Sequence, residues 1–277
     1  MRLLRGFTNK EWMEISEKYK DGGVHMYRGK KTLFYNGEKL WQKHEDPEEE
    51  GWPRVYDYKE RRSWEVIIIL PGVETIHYGT FHACRNVKTV IMAIKDVAFH
   101  CCYGLEFVRL SRNLEYIGKS AYYSCQALTS VFIPPSCRKI DNEAFFLCKQ
   151  LAILGLPQHT ELGRSVFQYT PMIKASPIET DYDGCYYRTD ENEEEAVRWV
   201  KSINYGDACA LHRACASFNP LSEIIHDLVK RQSINAMRMK NKIGITPSQY
   251  LAANTFADVS EKEIINRYIS DMMGEVF

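Results

Sequence analysis

One pattern dominates this chain: an aliphatic residue, an aromatic five positions later and a Cys three further on, recurring through the middle of the sequence. It reads Ile76/Phe81/Cys84, Ile94/Phe99/Cys102, Ile117/Tyr122/Cys125 and Ile140/Phe145/Cys148, then Leu162/Phe167/Thr170. The anchors at 76, 94, 117, 140 and 162 step by 18, 23, 23 and 22 residues. In a chain that is 12% aromatic, five aromatics at one offset arise by chance about 2 times in 100,000. A fixed period near 23 residues implies stacked units, because a single unit cannot bury its apolar face and its neighbours must supply the missing surface.

Each unit has a second repeating half. Val66-Ile67-Ile68-Ile69, Thr89-Val90-Ile91-Met92, Phe107-Val108-Arg109-Leu110, Ser130-Val131-Phe132-Ile133 and Ile153-Leu154-Gly155-Leu156 share aliphatic second and fourth positions, while the first and third vary. Alternation of period two marks a strand with one buried face. Pro71, Pro134-Pro135 and Pro157 follow strands directly, where the chain stops pairing and turns. The Ala-aromatic-x-x-Cys half reads as one helical turn on the opposite side, its aromatic and Cys facing inward.

Together the halves resemble the BspA-type leucine-rich repeat, most closely through Ile133-Pro134 and Ile140 to Cys148. The resemblance covers about 64–173, five units. It implies an α/β repeat fold: a short leucine-rich-repeat solenoid with a parallel strand ladder, used for protein–protein contact. Two departures stand out. The second unit lacks about five residues between Met92 and Ile94, and the fifth carries Thr170 in place of Cys.

The flanks divide into three. Residues 1–63 are expected to be an N-terminal cap, with a helix over roughly 8–19 opened by the capping-box spacing Thr8/Glu11. A β-hairpin over Thr32 to Trp41 would follow, turning at Asn36-Gly37. Residues 174–204 read as an acidic linker feeding a short helix. In 205–277, Ala210-Leu211-His212-Arg213-Ala214 resembles the Leu-His-x-Ala signature of an ankyrin repeat, and Gly244-Ile245-Thr246-Pro247 the opening of the next. This degenerate ankyrin-like segment is expected to close the array's C-terminal end.

Composition removes several functions. Lys+Arg and Asp+Glu are equal at 36 each, without the basic excess typical of proteins that grip nucleic acid. No apolar run is long enough to span a membrane, and the N-terminus lacks a signal-peptide core. The nine cysteines are expected to be reduced thiols in the cytoplasm or nucleus. The row Cys84, Cys102, Cys125, Cys148 reads as small buried side chains, since a linear row does not converge into a metal tetrahedron. No catalytic, cofactor or metal motif appears. The acidic runs Glu48–Glu50 and Glu193–Glu195 read as solvated flanks, His212 as a turn-holding hydrogen-bonder, and the basic stretch Lys230, Arg231, Arg238, Lys240, Lys242 as a solvated loop or a weak anion contact.

The outward strand positions carry the functional expectation. Ile68, Ile91, Phe107, Phe132 and Ile153, with Arg109 among them, make a stripe too apolar for a solvated ladder and close to the composition of interface cores. A non-enzymatic module binding an unidentified protein partner along this face is the leading reading. Coverage by the chain itself, self-association, and presentation of the C-terminal helices as the working surface stand beside it.

Overall fold

The computed structural model describes residues 14–15, 17–37, 63–70, 80–81, 84–87, 89–91, 98–110, 114–205, 210–217, 222–232, 234–257 and 259–273. The alternating segments form strands β3 (Val66–Ile69), β4 (Thr89–Ile91), β5 (Phe107–Arg109), β7 (Ser130–Phe132) and β9 (Ile153–Gly155). They stack in parallel with equivalent positions in register, as in Ile68↔Ile91↔Arg109 and Ser130↔Ile153. Their second residues point inward: Ile67, Val108, Val131 and Leu154 are all buried. A second parallel ladder runs through β6 (Tyr116–Ile117), β8 (Lys139–Ile140) and β10 (Glu161–Leu162).

The aromatic half of each coil is not the expected helical turn. It is a pair of tight turns with left-handed residues at fixed places: Ser120 and Ser124, Glu143 and Leu147, Ser165 and Tyr169, with φ between 52° and 64°. An α-helical turn would spend its N–H groups internally, whereas these turns leave alternate N–H groups free to join coils. Tyr122 N donates to Ala144 O at 2.8 Å and Phe145 N to Val166 O at 3.0 Å. Each left-handed residue costs about 1–2 kcal/mol, offset by backbone bonding between coils on this side as well.

Two rows fill the core. Phe81, Phe99, Tyr122, Phe145 and Phe167 stack ring on ring, with centroids 5.0, 5.5, 5.1 and 5.6 Å apart. Beside them, Cys102, Cys125 and Cys148 donate their thiols to the carbonyls of Phe81, Phe99 and Tyr122 one coil earlier, at 3.2–3.3 Å. Those carbonyls also accept the N–H three residues on in their own coil, so the thiol fills the second lone pair. A small apolar side chain with a weak donor suits that corner. Thr170, in the fifth unit, turns its hydroxyl to Phe167 O instead, at 2.6 Å.

At the N-terminal end the hairpin lies one strand earlier than expected. It joins β1 (Gly23–Tyr27) to β2 (Lys30–Tyr35) through Arg28 (φ 50°) and Gly29 (φ 77°), both left-handed as a type I′ turn requires. Thr32 to Tyr35 therefore form its second strand, and Asn36-Gly37 end it; positions 38–41 lie outside the described residues. β2 then extends the ladder in parallel with β3. Of the helix expected over 8–19, residues 14, 15, 17 and 18 are helical, and 8–13 lie outside the described residues.

After a four-residue helix α1 (Pro171–Lys174) comes α2 (Asp190–Tyr205), 16 residues long where a short helix was expected. It covers the last coil, its Ala196 and Val200 sharing a small cavity with Phe167 and Ile173. Glu193, expected in a solvated run, is 7% exposed and accepts from Ser165 N at 2.7 Å, Ser165 Oγ at 2.8 Å and Tyr186 OH at 3.0 Å. Three donors left over at the end of the array call for an acceptor, and the carboxylate supplies it.

Four further helices follow among the described residues, α3 (Ala210–Ala216), α4 (Ser222–Gln232), α5 (Pro247–Ala253) and α6 (Val259–Met273), with a short 3-10 helix (Ile234–Arg238) before α5; α3 packs on α4 and on α5, and α4 packs on α6. Thr246 and Gln249 form a reciprocal capping box at the start of α5. Asn254 is fully buried and donates to Cys215 O and Ser217 O, tying the end of α5 to the end of α3.

Candidate partner-binding face

The outward face of the ladder is covered from both ends by the chain's own flanks. At the N-terminal end Ile15 and Tyr19 pack with Phe34, Val66, Ile68 and Leu70, and the Tyr19 and Phe34 rings stack at 3.8 Å. At the other end α3 reaches β9: a Cβ at Gly155 would lie 2.9 Å from Ala216 O and 2.5 Å from the Phe132 ring. Glycine stands there because two pieces of chain meet over it.

The six residues expected to meet a partner therefore divide. Ile68 is fully buried and Phe132 is 1% exposed, so these two do not lie on an accessible face. Phe107, Arg109 and Ile153 are half-buried, and Ile153 packs against the core. Ile91 sits in β4 between Ile68 and Arg109 in register. The apolar stripe is real, and the chain itself occupies much of it.

Where the covering elements part, an open groove of about 790 Å³ remains. One wall comes from the ladder side, with Glu106, Phe107, Ala127, Thr129 and Ser130. The other comes from the end of α5 and the start of α6, with Ala252, Ala253, Asn254, Thr255 and Lys262. Nothing local in the sequence marks the second wall, because it reaches the groove only through the return of the C-terminal helices. Lys262 Nζ donates to Ala252 O at 3.1 Å, at the C-terminal end of α5 where a cation is favoured. Its pKa is held below the ordinary lysine value by burial, and further by the positive charge of Arg109.

The other expected sites resolve as follows. Burial pushes the Cys102, Cys125 and Cys148 thiols upward and that of Cys137 up to about 11, so these side chains are protonated packing groups. Cys101, adjacent to Cys102, is half-buried. His212 holds a turn, its Nε2–H donating to Ile245 O at 3.0 Å. Lys230, Arg231, Arg238, Lys240 and Lys242 are exposed. Among them Arg231 pairs with Asp227 at 2.9 Å, and Lys242 lies 5.2 Å from the centre of the Trp199 ring on α2. No group of three or more His, Cys, Asp or Glu side chains among the described residues is placed to hold a metal, and no helix among them is long and apolar enough to cross a membrane.

Residues 55–174 match the family model for a BspA type leucine-rich repeat region in six copies. That is one more than the five counted from the aromatic–Cys anchors, and it begins at 55 rather than 64. Among solved structures, a leucine-rich repeat protein from Bacteroides ovatus is 27% identical over 38% of this chain, with a TM-score of 0.37; the match spans 29% of that protein's chain. A leucine-rich repeat protein from T. pallidum is 15% identical over 65% of this chain and 92% of its own, with a TM-score of 0.28. No curated protein matches the chain. Residues 55–174 thus match a leucine-rich repeat region, a type of repeat that typically serves in protein interaction.

Proposed function

We propose that this chain is an intracellular, non-enzymatic protein-interaction module whose partner enters the groove between the strand face and the C-terminal helices. The observation that carries this reading is the parting of the covering elements at Phe107, Thr129 and Ser130 opposite Ala252 to Thr255. A groove with one repeat wall and one helical wall gives a partner two chemically different surfaces to recognise. Residues 210–273 act in it as degenerate ankyrin-like helical pairs, supported by the His212–Ile245 hydrogen bond and the Thr246-Pro247 start of α5.

Ala252 and Thr129 are exposed on opposite walls, so filling substitutions there can block the groove without disturbing the core. Affinity purification from native cells should recover a partner with the wild type and lose it with Ala252→Trp or Thr129→Arg, with melting temperatures unchanged. Retention of every partner by both variants would reject the groove. A second reading places the partner on the outer surface of the helices, where Ile224 and Ile264 are 51% and 48% exposed. Loss of the partner with Ile224→Asp and Ile264→Asp, but not with Ala252→Trp, would select it.

A further inference from the structure

We propose that the chain pairs with a second copy of itself along the open edge of β1, antiparallel, about a two-fold axis at His25. β1 is the outermost strand of the five-stranded sheet, and among the described residues it pairs with β2 alone. The two-residue turn fixes which groups face outward. Tyr27 and Lys30 flank it as a hydrogen-bonded pair, so in the alternating antiparallel pattern His25 also bonds inward, whereas Val24 and Met26 do not. The far side of β2 agrees: Lys31, opposite Met26, turns its carbonyl away from β1 to accept from Glu65 N at 2.9 Å. The N–H and C=O groups of Val24 and Met26 therefore point off the edge, and Met26 is 68% exposed.

A strand edge that stays single usually carries a charge, a Pro or a bulge. Gly23-Val24-His25-Met26-Tyr27 carries no charge and no Pro, and its register with β2 runs without interruption. The edge is also complementary to itself. With His25 opposite His25 of the second copy, each Val24 stands opposite the other copy's Met26. Both of those pairs are of the hydrogen-bonded kind, so four backbone bonds use every outward group of residues 24 and 26. Exposed Met26 then lies across the seam from half-buried Val24. The ends of the strand add charge complementarity, with Asp21 before it and Arg28 after it, both exposed. Antiparallel pairing brings each Arg28 to the level of Asp21 in the other copy, at both ends of the seam. A contact in which one patch meets itself is what a two-fold dimer requires, so a second copy is the occupant this edge fits.

The test is sedimentation velocity of the full chain over a concentration series, read beside hydrogen exchange at residues 24–26. Wild type should pass from monomer to dimer as concentration rises, and exchange at the Val24 and Met26 amides should slow with it. Met26→Pro removes an outward N–H that the hairpin does not use, so it should keep the melting temperature and lose the dimer. His25→Glu and His25→Lys should each weaken the dimer about 5-fold or more, because like charges meet at the axis, and an equimolar mixture of the two should restore it. A wild type that stays monomeric at sub-millimolar concentration, a dimer unmoved by Met26→Pro, or a mixture no tighter than either His25 variant alone would each overturn the inference. Exchange that slows at 24–26 only when another protein is present would give the edge to a foreign strand, and would overturn it equally.

Discussion

Removing the Glu193 carboxylate tests how the repeat array is closed. It sits 7% exposed at the end of the array and accepts three hydrogen bonds, from Ser165 N, Ser165 Oγ and Tyr186 OH. The two hydroxyls can rotate to other acceptors, but the Ser165 N–H is fixed by a backbone held at φ 54°. Hydrogen bonds to charged groups contribute about 1.5–3 kcal/mol, and a buried donor left unpaired costs about 1–3 kcal/mol. Counting the fixed donor fully and the hydroxyls in part, Glu193→Ala should cost about 3–5 kcal/mol. At about 2–3 °C per kcal/mol for a chain of this size, the melting temperature should fall by about 6–15 °C. Glu193→Gln keeps one acceptor but turns an NH₂ toward the donors, so it should recover no more than about half of the loss. Its exposed neighbours Glu191 and Glu194 provide the control, since alanine there should change stability by less than about 0.5 kcal/mol. A Glu193→Ala variant within about 1 kcal/mol of wild type, or full rescue by Gln, would refute the anchoring role.

Three further outcomes follow from the same packing. Phe132→Asp places a carboxylate at a site 1% exposed and should cost more than about 4 kcal/mol; denaturant unfolding that shows a stability near wild type would mean the strand face is open. Alkylation of the native protein, mapped by mass spectrometry, should label half-buried Cys101 and Cys185 well before Cys102, Cys125 and Cys148, whose thiols burial keeps protonated. Early labelling of Cys125 without unfolding would contradict the core assignment. Burial holds the His212 pKa below its ordinary value of 6.5, so on acidification the unfolded chain takes up that proton first. The stability due to His212 is therefore complete above 6.5 and is lost as pH falls below it. Urea titrations at neutral and mildly acidic pH should show a smaller decline for His212→Gln than for wild type, and equal declines would remove His212 from the effect.

The repeat was legible because its signals are local and repeated: inward pairs such as Val131 and Ile133, and one aromatic and one Cys or Thr per coil, each read from the spacing alone. The turn half was read as helical because Phe145 and Cys148 at i, i+3 satisfy a helix face equally well. What separates the two conformations is where Phe145 N finds its acceptor, and that acceptor, Val166 O, belongs to another coil. The hairpin was displaced for a similar reason. Asn36-Gly37 carries the stronger turn signal, yet Arg28-Gly29 closes the loop, because Thr32 to Phe34 pair with β3 as well as β1. Glu193 was misread because a carboxylate inside an acidic run looks solvated until the three donors at the end of the last coil are in view.

The apolar stripe around Phe132 poses the deeper question, since a face built for a partner and a face covered by the chain's own flanks have the same sequence signature. Length decides between them. Five strands about 4.8 Å apart present a face roughly 20 Å long. At 1.5 Å per residue, a helix of 15 residues such as α6 spans about 22 Å. Any flank that supplies one such helix can cover the ladder of a short array, and this chain has flanks on both sides of the repeats. A longer array would outrun its flanks and leave most of its face to solvent and partners. In a short one the free surface shrinks to the place where the covering elements fail to meet, here between β5 and α5–α6. The exposed part of the stripe is then a matter of where the flanks stop, and Phe107 and Arg109 lie half-buried at that edge.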